Sequence, residues 1–262
     1  MKKIIIFGIN GMLGNYIYTF FRKNNLEIIG YNRRDFDVLK DNWEKINNLI
    51  GNNNIVINCI GLIPQKNNGE KNYFKINSFF PHFLEKESLK NNCKLIHITT
   101  DCVFNGLKGY YKNTDKHDAI DIYGISKSLG EPLNSTIIRT SIIGEEIYNK
   151  KSFLEWVLNS KNNINGYLNH YWNGITCLQL AKLIKKIIED NYFWKGVKHL
   201  YSYDIVNKYQ LACIIKNIYN ININIIPYHD IKDKNMTLKG DNKFNIPSIE
   251  KQILELKNYD LI

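Results

Sequence analysis

A chain of 262 residues, 44% of them hydrophobic, can bury its own core and fits one domain, or one domain with a small appendage. The formal charge of +10 is spread along the whole length, with no block of five or six like charges and no nucleic-acid-binding motif; it reads as a solvated surface that favours small anions over nucleic acid. No apolar run approaches a membrane span. The five cysteines (Cys59, Cys93, Cys102, Cys177 and Cys213) contain no C-x-x-C pair, which argues against a disulfide framework or a zinc site. A cytoplasmic protein without membrane or metal is expected.

In chain order, the first half alternates short Ile/Val-rich runs with longer mixed segments. Strands are predicted over 3–7, 27–30, 55–60, 94–99 and 135–139. Helices are predicted between them, over 12–23, 42–49, 73–90 and 123–133. Continuous apolar strands with intervening helices imply a parallel sheet covered on both faces. The fold class is therefore α/β, a doubly wound parallel sheet whose ligand crevice lies at the carboxyl ends of its strands. After Gly144 the pattern loosens. Helices over 152–160, 177–190, 205–219 and 248–256 and a strand over 221–227 suggest a smaller C-terminal lobe. The expected division is a dinucleotide-binding domain over 1–144 and a mainly substrate-binding lobe over 145–262.

The first strand runs straight into Gly8-Ile9-Asn10-Gly11-Met12-Leu13-Gly14. Strand, G-x-x-G-x-x-G turn and helix in that order form a phosphate cradle. Glycine permits the tight turn and the close approach of backbone to a pyrophosphate, and the helix N-terminus offers free N–H groups. A glycine turn after a strand is the plainer alternative. Gly8, Asn10, Gly11, Met12, Leu13 and Gly14 are the candidate cofactor contacts.

The second motif is Tyr123-Gly124-Ile125-Ser126-Lys127. On a helix its tyrosine and lysine share one face. A nearby ammonium is expected to lower the tyrosine pKa toward neutrality and to suit the phenol to proton transfer with a carbonyl oxygen or an alcohol. The same spacing recurs at Tyr228 and Lys232, outside the nucleotide-binding half, and reads as coincidence. Thr99 and Thr100 close the fourth predicted strand, where a hydroxyl can bind a substrate carbonyl or simply cap the next turn.

Gly8/Gly11/Gly14, Thr100 and Tyr123/Lys127, in this order, resemble the extended short-chain dehydrogenase/reductase superfamily. Ile57-Asn58-Cys59-Ile60-Gly61, Thr99-Thr100-Asp101-Cys102-Val103-Phe104, Arg139-Thr140-Ser141-Ile142-Ile143-Gly144 and Trp172-Asn173-Gly174-Ile175-Thr176 resemble the dTDP-4-dehydrorhamnose reductase family. The resemblance implies a Rossmann-type fold and an oxidoreductase that delivers hydride from NAD(P)H to C4 of a nucleotide-linked 4-keto-6-deoxy sugar. Tyr123 would donate the proton, Lys127 would hold the nicotinamide ribose, and Thr100 would bind the keto oxygen. Asp37 and Val38 fall where the superfamily contacts adenine, Cys59, Ile60 and Gly61 where it contacts the ribose, and Asn77 where it often places an active-site asparagine. Asn32, Arg33 and Arg34 follow the second strand. Arginine there suits a 2′-phosphate, so NADPH is the expected cofactor and NADH the alternative.

Asp101, Cys102, Trp156 and His170 are the remaining candidate substrate contacts. Cys102 stands where the family commonly has tyrosine and where related dehydratases have glutamate, so dehydration is not expected. Its spacing from Thr100 matches that of epimerising GDP-fucose synthases, with His170 as the distant partner; a small packing residue and a surface histidine are the alternative. Trp156 is expected either to stack on a sugar or to pack in the core. His82, His97, His117 and His229 have no ligand spacing and read as structural or surface residues. The resemblance is strongest to reductases of UDP-linked 4-keto-6-deoxy-L-hexosamines, with the dTDP-rhamnose reaction, or a bifunctional UDP- or GDP-sugar epimerase/reductase, as alternatives. A non-catalytic regulatory subunit that keeps the nucleotide fold is an alternative of another class. The partners expected are a nucleotide-sugar substrate and, for assembly, a homodimer.

Overall fold

The computed structural model describes residues 2–64, 69–148, 150–240 and 243–261. Strand β1 (Ile4–Phe7) is buried throughout, with Ile4 and Ile6 in one core and Ile5 and Phe7 in another. Four apolar residues without polar alternation demand this, because both faces of the sheet must be covered. There follow α1 (Met12–Lys23), β2 (Ile28–Tyr31), α2 (Lys45–Ile50) and β3 (Ile55–Asn58). A short helix α3 (Glu70–Tyr73) then continues through a π-helical segment, Phe74–Phe79, into α4 (Phe80–Lys90). Strand β4 (Lys94–Thr100) ends in a 3₁₀ turn at Asp101–Val103, and α5 (Ile122–Ser128) leads to β5 (Thr136–Thr140).

The second half comprises β6 (Ile142–Ile143), α6 (Phe153–Asn159), β7 (Ile164–Tyr167), β8 (His170–Trp172), β9 (Ile175–Thr176) and α7 (Cys177–Glu189). It continues with β10 (Gly196–His199), β11 (Val206–Asn207), α8 (Lys208–Tyr219), β12 (Ile225–Tyr228), β13 (Lys234–Asn235) and α9 (Ile249–Lys257).

Six strands form one parallel sheet in the order β10-β5-β4-β3-β1-β2. Because β2 and β3 lie on opposite sides of β1, the chain reverses its course across the sheet there, and a crevice opens at the carboxyl ends of β1 and β3. One face is covered by α1 and α7, through residues such as Tyr16, Ile17, Leu180 and Ile184; the other by α2 and α4, through Ile46, Ile50, Phe80 and Leu84. Each such side chain contributes about 1.5–3 kcal/mol by leaving water.

Three elements differ from expectation. The helix predicted over 73–90 is interrupted by the π-helical segment. The helix predicted over 123–133 ends at Ser128; Pro132 disfavours helical backbone in the residue before it. The sheet gains β10 from the second half, whereas β12 pairs with β7 in a separate small sheet. Among the described residues no helix is long and apolar enough to cross a membrane, and no group of three or more His, Cys, Asp or Glu side chains could hold a metal ion.

Candidate active site

A cavity of about 670 Å³ occupies the crevice, within the range of small-molecule sites. The turn after β1 forms one end. Gly8 has a φ of +87°, and a Cβ built on Gly14 would lie 2.2 Å from the Gly8 carbonyl oxygen, so these two positions exclude side chains for steric reasons. Gly8 and Gly14 thus shape the turn from behind, while Asn10, Gly11, Met12 and Leu13 line the cavity. Helix α1 opens at Gly11 with no side chain bonded over its N-terminus, so nothing competes there with an anion.

The other end is built by β4, its 3₁₀ turn and α5. Asp121 caps α5 by accepting from the Gly124 N–H (2.9 Å). A Cβ on Gly124 would lie 2.2 Å from the Cys102 carbonyl oxygen, so glycine inside the motif lets the helix press against the turn. This approach brings Thr100, Tyr123 and Lys127 onto one cavity wall. Thr100 Oγ1 donates to Asp101 Oδ1 (3.0 Å) and accepts from the Cys102 N–H (3.2 Å). The threonine serves as both turn cap and cavity hydroxyl.

The electrostatics depart from the expectation for Tyr123. Burial raises its pKa above the ordinary value, with Cys102 adding to the effect and a hydrogen bond with Thr100 opposing it. The predicted depression by Lys127 is absent: burial acts on the lysine too, pulling it down to about 8 against the attraction of Cys59 and Glu131. The phenol therefore stays protonated at neutral pH. Burial also raises Asp101, against a hydrogen bond from Thr100, and pushes the Cys102 thiol up to about 12 with Asp101 adding to it.

Cys59, Ile60 and Gly61 line the cavity between the two ends. Asn32, Arg33 and Arg34 lie on the loop after β2, with both arginines exposed and outside the cavity lining. That loop adjoins the glycine turn, since the Gly8 N–H donates to the Tyr31 carbonyl (2.8 Å). Asp37 bonds locally to the Leu39 N–H (2.9 Å), and Val38 is buried in the second core. Neither lines the cavity.

Asn77, Trp156 and His170 are not brought to the cavity. Asn77 is fully buried beneath its floor; its Oδ1 accepts from the Leu62 N–H (2.8 Å) and its Nδ2 donates to Leu62 O (3.0 Å) and Ser126 Oγ (3.0 Å). It braces the loop after β3 against α5. Trp156 is 43% exposed, whereas Phe153, one turn earlier on α6, lines the cavity. His170 bonds the Lys232 carbonyl (3.1 Å) and Asp230 Oδ2 (2.9 Å) and stacks on Tyr167 (4.5 Å), so its ring is engaged by these groups.

Several cavity residues are not singled out as site residues by the sequence. Ser141 hydrogen-bonds Asp101. Lys234 comes from β13, far along the chain, and Glu145 and Glu146 from the loop after β6. Beside them the Lys208 ammonium lies over Phe153 (4.7 Å) and Trp172 (5.1 Å), and burial draws its pKa to about 8 against the attraction of Asp101. The capping box at Asn207 and Gln210 marks a helix start, but nothing local reports that this helix points its first residue at Asp101.

Comparison with known proteins agrees with this architecture. The RmlD substrate binding domain matches residues 1–235. A dTDP-4-dehydrorhamnose reductase of Aggregatibacter actinomycetemcomitans is 28% identical over 149 residues, 55% of this chain and 50% of that protein, so the match spans half of that relative's length. Methionine adenosyltransferase 2 subunit beta of Bos taurus is 22% identical over 254 residues, 84% of this chain and 73% of that protein. The structure of dTDP-4-dehydrorhamnose reductase from Bacillus anthracis in complex with NADP is similar with a TM-score of 0.82 at 21% identity, covering 98% of this chain and 99% of that one. With a Rossmann-type sheet, the glycine turn and a match over residues 1–235, the chain belongs to the RmlD substrate binding domain family, within the extended short-chain dehydrogenase/reductase superfamily.

Proposed function

We propose that the chain is an NADPH-dependent oxidoreductase that reduces the C4 ketone of a nucleotide-linked 4-keto-6-deoxy sugar. One observation carries this reading: Thr100, Tyr123 and Lys127 share a cavity wall whose far end is an uncapped helix N-terminus on a glycine turn. The residues present fit a dinucleotide. Besides the glycine turn, Asn15 Oδ1 and Thr99 Oγ1 are buried without a hydrogen-bond partner, and both residues line the cavity.

When bound, the dinucleotide supplies the hydride. Thr100 orients the keto oxygen with its hydroxyl. Tyr123, held protonated by burial, donates its phenolic proton to that oxygen, and this protonation state suits reduction rather than oxidation. Lys127, positioned against Gly61, faces the ribose position and supplies the positive charge that the resulting phenolate needs. Arg33 and Arg34, next to the glycine turn, account for a preference for the 2′-phosphate, in line with the NADP-bound relative.

Two substrates are supported. The Thr-Asp-Cys-Val-Phe and Ile-Asn-Cys-Ile-Gly segments favour a UDP-linked 4-keto-6-deoxy-L-hexosamine, while the relatives named for dTDP-4-dehydrorhamnose reduction support the dTDP-linked sugar equally. The match to a methionine adenosyltransferase subunit over 84% of the chain favours a second reading, a regulatory nucleotide-binding subunit. A regulatory role needs no proton donor, and this chain keeps one. The deciding experiment follows NADPH oxidation with both keto-sugars in parallel, using Tyr123→Phe as control. Turnover that falls about 10²–10⁴-fold in the variant supports the reductase. NADPH binding without turnover of either sugar supports the regulatory reading.

A further inference from the structure

Arg139, on β5, is 1% exposed, and its guanidinium is engaged on three sides. Nε donates to Glu131 Oε1 (3.0 Å), and Nη2 to Glu131 Oε2 (2.6 Å) and to His117 Nε2 (2.6 Å). Nη1 donates to His199 Nε2 (2.9 Å). A guanidinium has no lone pair to offer, so both imidazole Nε2 atoms must be acceptors. Both rings are therefore neutral, with their protons on Nδ1. Those protons have acceptors: the Lys239 carbonyl for His199 (3.0 Å) and Ser128 Oγ for His117 (2.6 Å).

Ser128 is the residue after Lys127, at the end of the helix that carries Tyr123. Glu131, from the same stretch of chain, is one of the two groups whose charge favours the Lys127 ammonium. The core of the sheet thus reaches the end of α5 through the His117 imidazole and, just beyond it, through Glu131.

We propose that His117 is a positioning residue of the candidate active site, joining Arg139 to Ser128 so that Tyr123 and Lys127 are held in place, and that only its neutral form can do so. The proposal rests on the reading of Tyr123 and Lys127 as the reacting pair. The groups that face the ring are Arg139 from β5, Ser128 at the end of α5, Glu131 just beyond it, Asp118 on its own loop, and Phe104, whose ring meets it edge-on (5.6 Å). Burial and Arg139 oppose its protonation, while Glu131 (3.7 Å) and Asp118 favour it; the net effect lowers its pKa from the ordinary value. His199, more deeply buried, is pulled down to about 4. His117 therefore protonates first as pH falls. An added Nε2–H would meet the Nη2 donor of Arg139 head-on, and the ring would turn to Glu131 instead.

The test uses the full chain and compares wild type with His117→Gln and Ser128→Ala. Glutamine keeps one acceptor for Arg139 and one donor for Ser128 but does not titrate. Arg139 is left alone, since removing it strands a buried Glu131. NADPH affinity is measured as pH is lowered, and the ratio of wild type to His117→Gln cancels the titration of the cofactor's own phosphate. The proposal expects that ratio to fall below the His117 pKa by up to about tenfold per pH unit. It also expects Ser128→Ala to weaken NADPH binding several-fold at neutral pH with an unchanged melting temperature, and His117→Gln to bind NADPH there as wild type does. A ratio that stays flat, or a Ser128→Ala variant that binds like wild type, would overturn it. Because binding is read rather than turnover, a falling ratio without reduction of any sugar supports the clamp and rejects the reductase reading.

Discussion

Gly61 and Lys127 share one space: a Cβ built on Gly61 would lie 2.9 Å from the lysine Nζ and 3.5 Å from its Cε. The obstructing atom is the free end of a flexible side chain, so Gly61→Ala should displace the ammonium and spare the fold. NADPH affinity is expected to fall about tenfold, or about 1.4 kcal/mol, with a melting temperature close to wild type. Fluorescence titration and thermal melting check the two halves. A lowered melting temperature with unchanged affinity would mean that the backbone moved and Lys127 did not.

Gly130 presents the opposite case. A Cβ there would lie 1.7 Å from the Asn77 carbonyl oxygen and 2.8 Å from its carbonyl carbon, both backbone atoms of the π-helical segment. Neither can step aside without moving that segment and the Asn77 side chain that braces the loop after β3. Gly130→Ala is expected to cost about 3 kcal/mol, the upper end for overpacking. The denaturant midpoint should drop with an unchanged slope. A loss below about 0.5 kcal/mol, the range of a surface change, would show that the π-helical segment relaxes easily.

Lys127 should trade stability for function. Its ammonium titrates at 10.5 when unperturbed and is pulled to about 8 in the folded protein, mainly by burial. Below pH 8 folded and unfolded chains are both protonated, and the fold carries the whole cost of burying the charge. Between the two values the folded protein gives up a proton that the unfolded chain keeps, so stability rises with pH. Lys127→Met removes the charge and is expected to stabilise the protein at neutral pH by about 1–3 kcal/mol while weakening NADPH binding. That advantage should shrink as pH rises through 8, a trend visible in paired unfolding curves at neutral and alkaline pH. An advantage independent of pH would assign it to packing rather than charge.

What could be read from the sequence was set by local physics. The G-x-x-G-x-x-G spacing marked a turn that excludes side chains at Gly8 and Gly14, and the four-residue spacing of Tyr123 and Lys127 placed both on one wall. What could not be read depends on distant partners. The π-helical segment that seats Asn77 is matched to Gly130 from beyond α5. Trp156 falls on the outer side of α6 and Phe153 on the cavity side, an orientation set by how α6 packs. His170 carries no local sign that Asp230 and the Lys232 carbonyl will hold its ring. The Tyr-x-x-x-Lys spacing predicts a lowered Tyr123 pKa, and burial, which composition does not report, raises it instead.

Arg33 and Arg34 offer the sharpest check on the cofactor. Their loop is shaped by its own side chains: the Arg34 N–H donates to Asn32 Oδ1 (2.8 Å) and the Asn32 N–H to Asp35 Oδ2 (2.9 Å). The backbone bonds from Gly8 and Ile9 to Tyr31 tie it to the glycine turn. Both guanidinium side chains are exposed, so truncating them removes charge without opening a core. For these two exposed, solvent-screened charges together, charge-assisted contacts to a phosphate are worth about 1.5–3 kcal/mol. Arg33→Ala with Arg34→Ala is expected to weaken NADPH binding about 10–100-fold and leave NADH binding unchanged. The salt dependence of NADPH affinity should shrink in parallel, because screened surface charges carry the preference. Equal losses for both cofactors would show instead that the arginines support the loop, leaving the 2′-phosphate unread.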